Sequence, residues 1–140
     1  MKLLTFFICI LLTSCSAVAE QQKHSGVPAS INNIKVHRVD DHLIRIIKHN
    51  MEIEPKVELE FILPPEMKII DYLSITSAKT TDREYIFTNS DGVYVEGIDV
   101  TKEAIEIAFE YYLPKSEAVR LSCKIPISNE GFGSIACEKD

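Results

Sequence analysis

Several sequence motifs that mark enzyme active sites are missing from this chain. Its five glycines form neither a P-loop nor a G-x-G-x-x-G cradle for phosphates. No G-x-S-x-G elbow presents a nucleophilic serine, and no C-x-x-C pair provides a redox-active dithiol. We therefore expect no catalytic residues and no cofactor, and we interpret the chain as a protein that is not an enzyme.

Positive charge is also scarce. The chain has 15 lysine and arginine residues against 21 acidic residues, and its formal net charge is −6 at pH 7. Proteins that bind nucleic acids gather basic residues to meet the phosphates, and this sequence has no such cluster. The composition predicts no nucleic-acid partner, and it disfavours direct contact with anionic lipid head groups.

Long apolar runs are missing too, apart from a short one near the start. Residues 3–12 are mostly apolar and follow Met1-Lys2, whereas a membrane-spanning helix needs about 20 such residues. This arrangement is typical of a signal peptide. The sequence LTSC at 12–15 resembles the bacterial lipobox, in which the cysteine is acylated and becomes the new N-terminus. We expect residues 1–14 to be removed and Cys15 to anchor the protein in the outer membrane, facing the periplasm.

A second cleavage site competes with the lipobox. The sequence AVA at 17–19 resembles an ordinary A-x-A site, and cleavage after residue 19 would release a soluble periplasmic or secreted protein. Residues 15–30 are mostly small and polar, which is typical of a flexible tether. Residues 31–140 are enough for a single domain with one core.

Cysteine usage agrees with export. Cys9 lies in the expected signal peptide and Cys15 is the candidate for lipidation, which leaves Cys123 and Cys137 in the mature domain. An even pair of cysteines in an oxidising compartment favours a disulfide bond over free thiols or a metal pair.

The spacing around the last turn supports this pairing. A hairpin centred on Glu130 places Cys123 opposite Cys137, and Ile125 opposite Ile135. Directly opposed residues in antiparallel strands have Cα atoms about 4.5–5.5 Å apart, a distance that a disulfide tolerates.

Alternation of apolar and polar residues runs through most of the chain. It is clearest at 57–63, 105–111 and 119–125, where every second residue is apolar. Residues 101–113 include good helix formers, but this period of two predicts a strand with one buried face. Weaker patterns predict further strands near 33–39, 43–49, 67–75, 83–88, 93–96 and 132–137.

The number and spacing of these segments indicate the fold class. About eight or nine short strands separated by turns predict an all-β antiparallel sandwich of immunoglobulin-like architecture, and a small β-barrel is the alternative. The comparison with immunoglobulin domains concerns architecture alone and carries no function.

A histidine-rich segment is a weak candidate for metal binding. If residues 40–41 form a two-residue turn, Val39 pairs with His42, and His37 lies diagonally across from His42 on the same face. Two imidazoles with the carboxylate of Asp40 are ligands that Zn²⁺ or Cu²⁺ accepts. The spacing matches no established metal motif, so we favour a polar, solvent-facing hairpin tip without metal.

Glutamates on alternate positions are candidates for partner recognition. Glu58 and Glu60 share one strand face, and Glu106 and Glu110 share another. If those strands are neighbours, the four side chains form an acidic patch that would steer a basic partner, with Tyr112 beside it as a contact residue. Alternatively, they only keep an exposed sheet face soluble. A third alternative is a pair of carboxylates for glycoside hydrolysis.

Together these patterns predict a non-enzymatic lipoprotein of the bacterial envelope whose β-sandwich binds another protein, in assembly, anchoring or inhibition. The alternative is a soluble periplasmic protein that binds a small ligand or a metal. An exposed strand edge or an exposed apolar patch would favour the first hypothesis.

Overall fold

The computed structural model describes residues 28–115 and 117–140. The expected signal peptide, both cleavage sites, the candidate lipidation site Cys15 and most of the expected tether lie outside these residues. No helix in the described ranges is long and apolar enough to cross a membrane. The described chain forms a short 3₁₀ helix, Phe87–Asn89, and eleven strands: β1 Ile31–Val39, β2 His42–His49, β3 Val57–Leu63, β4 Lys68–Ile75, β5 Ser77–Lys79, β6 Glu84–Ile86, β7 Gly92–Val100, β8 Ala104–Tyr112, β9 Ala118–Ser128, β10 Gly131–Phe132 and β11 Ala136–Lys139.

The strands form two main antiparallel sheets, which confirms the predicted all-β sandwich. The first sheet has the order β1-β2-β3-β4, and the second has the order β7-β8-β9, with β10 and β11 both paired to the far side of β9. A small hairpin, β5–β6, connects the two sheets along the chain. Strands follow one another in chain order within each main sheet. The likeness to immunoglobulin domains is therefore limited to layering, because those domains have Greek-key connections.

Side chains from both sheets meet in one core. Leu59 and Phe61 of β3 and Ile107 and Phe109 of β8 are at most 1 % exposed and belong to the same buried cluster. The ring of Phe87, from the 3₁₀ helix, lies 4.9 Å from that of Phe109 between centroids. The three strands predicted from alternation are confirmed. In β8 and β9 the alternation separates a buried face from a more exposed one, whereas in β3 Glu60 and Ile62, on the side away from the core, are buried as well.

The last hairpin agrees only partly with its predicted register. Cys123 lies directly opposite Cys137, and a disulfide bond joins them. The pairing of Ile125 with Ile135 is wrong, because residues 133–135 leave the ladder between β10 and β11. Near the turn the register is one residue out from a hairpin centred on Glu130, since Gly131 pairs with Ser128.

Other segments differ from the predicted strands in length. The strand predicted at 93–96 continues to Val100, because a bulge at Glu96 lets β7 stay paired with β8 beyond the break in the alternation. The segment at 83–88 ends as a strand at Ile86, and Phe87 begins the 3₁₀ helix. The three-residue β5 is too short to show alternation, and the sequence did not predict it.

One corner of the sandwich brings the two sheets together. Oδ2 of Asp71, on β4, accepts a hydrogen bond of 2.8 Å from the backbone N–H of Phe132, on β10. Gly131 has a φ of +137°, and a Cβ at this position would clash with the side chain of Asp71. Only glycine suits this backbone, so Gly131 allows β10 to approach β4.

Candidate functional site

The side of the first sheet that faces away from the core is unusually apolar. Among the described residues, ten large hydrophobic side chains are exposed, and four of them, Ile34, Val36, Ile69 and Tyr72, lie on this side of the sheet. Register places the following residues on this side, which we call the outer apolar face: Ile34, Val36, Leu43, Ile47, Ile62, Ile69 and Tyr72.

The outer apolar face has exposed margins and a shielded middle. Val36 on β1 is 56 % exposed and Tyr72 on β4 is 51 % exposed. Between them, Ile62 is only 1 % exposed although it does not belong to the core cluster. Neighbouring side chains on the face therefore shield Ile62, and the exposed apolar side chains lie on β1 and β4, at the two margins of the face.

A bulge in β4 determines which residues of that strand lie on the outer apolar face. Ile69 pairs with Ile62, whereas Tyr72 pairs with Glu60, so one extra residue is inserted in β4 between these pairs. Two residues three positions apart would ordinarily point to opposite faces of a strand. The bulge instead places Ile69 and Tyr72 on the same face, a feature that the alternation of the sequence did not reveal.

An ion pair lies at the centre of the face. The guanidinium of Arg45 on β2 donates to Oε2 of Glu60 on β3, with Nε at 2.5 Å and Nη2 also in contact. These residues are directly opposite each other in the ladder, and Val36 and Tyr72 flank them on the outer strands. The charge of each partner is thus compensated within the face.

Glu58 is the centre of a second polar network, at one end of the face. Its carboxylate contacts Nε2 of His49 at 3.0 Å and Nζ of Lys56 at 2.7 Å, and it accepts a hydrogen bond of 2.7 Å from the hydroxyl of Tyr72. Burial alone would raise the pKa of Glu58, but hydrogen bonds from Lys56, His49 and Tyr72 outweigh it and lower the pKa to about 2. Glu58 is therefore ionised at neutral pH, and its carboxylate contacts His49, Lys56 and Tyr72.

The same network reaches the start of the domain. Nδ1 of His49 lies 3.3 Å from Oγ of Ser30 and 3.1 Å from a carboxylate oxygen of Glu54. Glu54 also pairs with Lys56 at 2.7 Å, and the hydrogen bonds that its carboxylate accepts from Lys56 and Ser30 lower its pKa. Sequence reasoning missed Tyr72, because only the pairing of β3 with β4 brings it to Glu58. It also missed Lys56, which lies two residues before Glu58 and which the period of two could have indicated.

The glutamates predicted for partner contact lie on two different surfaces. Glu58 and Glu60 lie on β3 in the first sheet, whereas Glu106 and Glu110 lie on β8 in the second sheet. The single acidic patch that adjacent strands would have formed is therefore absent, because β2 and β4 occupy both sides of β3.

Tyr112 lies on the outer side of the second sheet with Glu110. Its ring packs edge-to-face against that of Tyr94, with centroids 5.8 Å apart. The hydrogen bond between Tyr112 and Glu110 raises the pKa of the phenol. Tyr112 therefore lies beside acidic side chains, as predicted from its position, on a different sheet from Glu58 and Glu60.

The histidine segment forms the predicted tight hairpin. Val39 pairs with His42 across a two-residue turn, and His37 pairs with Ile44 on the same face. Asp40 accepts a hydrogen bond of 3.1 Å from Nζ of Lys102, and the ring of His42 packs on Phe61 with centroids 4.6 Å apart. Within residues 28–115 and 117–140, no group of three or more His, Cys, Asp and Glu side chains is arranged to hold a metal ion.

The outer apolar face thus combines exposed apolar side chains with the Arg45–Glu60 ion pair and the polar network around Glu58. No family model, curated protein or solved structure matches this chain.

Proposed function

We propose that this chain is a non-enzymatic protein of the bacterial envelope, and that its β-sandwich binds another protein through the outer apolar face. The observation that carries the proposal is that four exposed large hydrophobic side chains, on β1 and β4, lie on one side of the first sheet. Large exposed apolar patches on soluble domains generally mark interaction surfaces. The compensated Arg45–Glu60 pair supports this reading, because it does not leave an unpaired charge in the middle of the contact.

The face supports docking better than the β1 edge of the sheet does. β1 is an edge strand and most of its residues are exposed. Lys35 points toward the core side of the sheet, since it pairs with the buried Ile46. Inward-pointing charges on edge strands discourage the addition of another strand. The partner accordingly packs against the side chains of the face instead of extending the ladder at β1.

The sequence of the N-terminal segment supports the location. The lipobox-like LTSC predicts acylation of Cys15, and about 15 residues separate this cysteine from the start of the domain. A flexible chain of that length has a root-mean-square span of about 20 Å, which lets the domain reach a partner near the membrane surface. An unlipidated, released form would carry the same face into the periplasm.

Crosslinking in intact cells tests the proposal. The tagged wild-type chain should capture an envelope protein that the Val36→Lys variant fails to capture, because a charge at this exposed position disrupts apolar docking. Ile53→Lys is the matched control, since Ile53 is 67 % exposed and lies outside the face. Equal capture by the wild type and Val36→Lys, with both variants folded by circular dichroism, would refute docking through this face.

A further inference from the structure

The outer side of the second sheet carries a groove of about 600 Å³ that runs across the strands. Small side chains form its floor, because Gly97 on β7, Ala108 on β8 and Ser122 on β9 are paired in one row. The lining is mostly apolar and reaches Ala136 on β11. We call this feature the transverse groove. Its volume lies within the range of about 300–1,000 Å³ typical of ligand sites.

The glycine in the floor is not required by the backbone. Gly97 does not adopt a positive φ, and a Cβ built at this position would meet no atom within 4 Å. Glycine in a strand usually costs stability relative to a residue with a side chain. Here the missing side chain leaves the groove open, whereas at Gly131 glycine is needed for the fold.

Acidic side chains surround the apolar floor. Asp99 and Glu106 lie at one side of the transverse groove and Glu138 lies at the other end. Lys124 is the one basic residue that the described part of the chain contributes to the lining. Lys124 is already paired with Glu106 at 2.9 Å. Asp99 and Glu138 have no ion-pair partner among the described residues, so two carboxylates at opposite ends of the groove are available to a cationic ligand.

The dimensions of the groove match a short extended peptide. β7 and β11 are separated by three inter-strand gaps, which correspond to about 14 Å at about 4.8 Å for each gap. An extended chain covers that length in about four residues, and residues i and i+4 point to the same side.

We propose that the transverse groove binds an extended cationic segment of a protein partner. Lysine or arginine side chains at positions i and i+4 pair with Asp99 and Glu138, and small apolar residues between them contact Gly97 and Ala108. The rim has a net negative charge, because it carries three carboxylates and one ammonium group. This charge favours a cationic partner. This surface is on the opposite side of the sandwich from the outer apolar face, so the two proposals can fail independently.

Fluorescence anisotropy tests the proposal with the purified mature chain. The probe is a fluorescein-labelled peptide, Gly-Lys-Ala-Val-Ala-Lys-Gly, and the matched probe has glutamate in place of both lysines. The wild type should bind the lysine peptide, with an affinity that falls as salt rises, and should not bind the glutamate peptide. Absence of binding at millimolar protein, or equal binding of both peptides, would overturn the proposal.

Two sets of variants locate the binding. Gly97→Val should weaken binding at least tenfold by filling the groove, and Ser122→Val provides the same test if Gly97→Val does not fold. Ala118→Val, on the same sheet face but outside the groove, should leave the affinity within twofold. Asp99→Asn with Glu138→Gln should also weaken binding about tenfold, whereas Asp41→Asn with Glu66→Gln, in turns of the first sheet, should not. Unchanged binding by the folded groove variants would show that the peptide binds elsewhere.

Discussion

Nε2 of His49 lies 3.0 Å from Oε2 of Glu58, and this contact joins β2 to β3 at the end of the outer apolar face. The ring of His49 is buried, and its other nitrogen faces Ser30 at the start of the domain. Lys56 and Tyr72 complete the set of partners around Glu58. One carboxylate therefore couples three strands of the first sheet to the point where the expected tether enters.

Replacement of Glu58 by glutamine tests this coupling through pH. The pKa of Glu58 is lowered from 4.5 to about 2 in the folded chain, so its ionised form stabilises the fold above about pH 4.5. That stabilisation is lost as the pH falls from about 4.5 toward 2. Glu58→Gln should lower the free energy of unfolding at pH 7 by about 1–3 kcal/mol, since it removes a charged partner of Lys56 and His49.

Urea unfolding of the wild type and Glu58→Gln at pH 7 and at pH 2 measures this effect. The difference between the two proteins should shrink strongly at the lower pH. The exposed Glu52, replaced by glutamine, is the control and should change little at either pH. A difference that is the same at both pH values would contradict the role assigned to the carboxylate.

The Cys123–Cys137 disulfide should stabilise the domain measurably. It joins residues 14 positions apart, and a closed loop of about that length contributes about 3 kcal/mol in the chain-entropy model. Replacing both cysteines by alanine should lower the free energy of unfolding by about 2–4 kcal/mol and speed hydrogen exchange in β11. Non-reducing peptide mapping checks the link itself, and two alkylatable thiols in the native protein would disprove it.

Replacement by alanine should have opposite effects on stability at Gly131 and at Gly97. Gly131→Ala should destabilise the fold by at least about 1–3 kcal/mol, because its φ is +137° and the new Cβ would clash with Asp71. Gly97→Ala should be neutral or stabilise by up to about 1 kcal/mol, since its Cβ enters open space at an ordinary φ. Thermal unfolding of both variants measures the contrast, and similar losses would mean that Gly97 also has a structural role.

Lipidation at Cys15 predicts a change of cell fraction. Cys15→Ala should move the protein from the membrane to the soluble fraction, because acylation of this cysteine is the proposed anchor. Ala19→Leu serves as the matched variant, since it disrupts only the competing A-x-A site and should leave the protein in the membrane. Membrane retention of Cys15→Ala would contradict the lipid anchor.

Strands were predicted correctly where apolar and polar residues alternate over a long enough segment. β3, β8 and β9 show it over seven or more residues, and their apolar faces are the core. The two-residue β10 and three-residue β5 carry no periodic signal. The bulges at Glu96 and in β4 also went unseen, because their position depends on the partner strand.

The sequence alone determined the fold class, the tight turn before His42 and the pairing of Cys123 with Cys137, because alternation, turn residues and hairpin spacing act between near neighbours. Only the tertiary structure decided which strands share a sheet. It placed Glu58 and Glu106 on different surfaces and brought Tyr72 and His49 to one carboxylate. The physical reason is that alternation specifies which face of a strand is buried, whereas the neighbour of that strand depends on packing across the whole core.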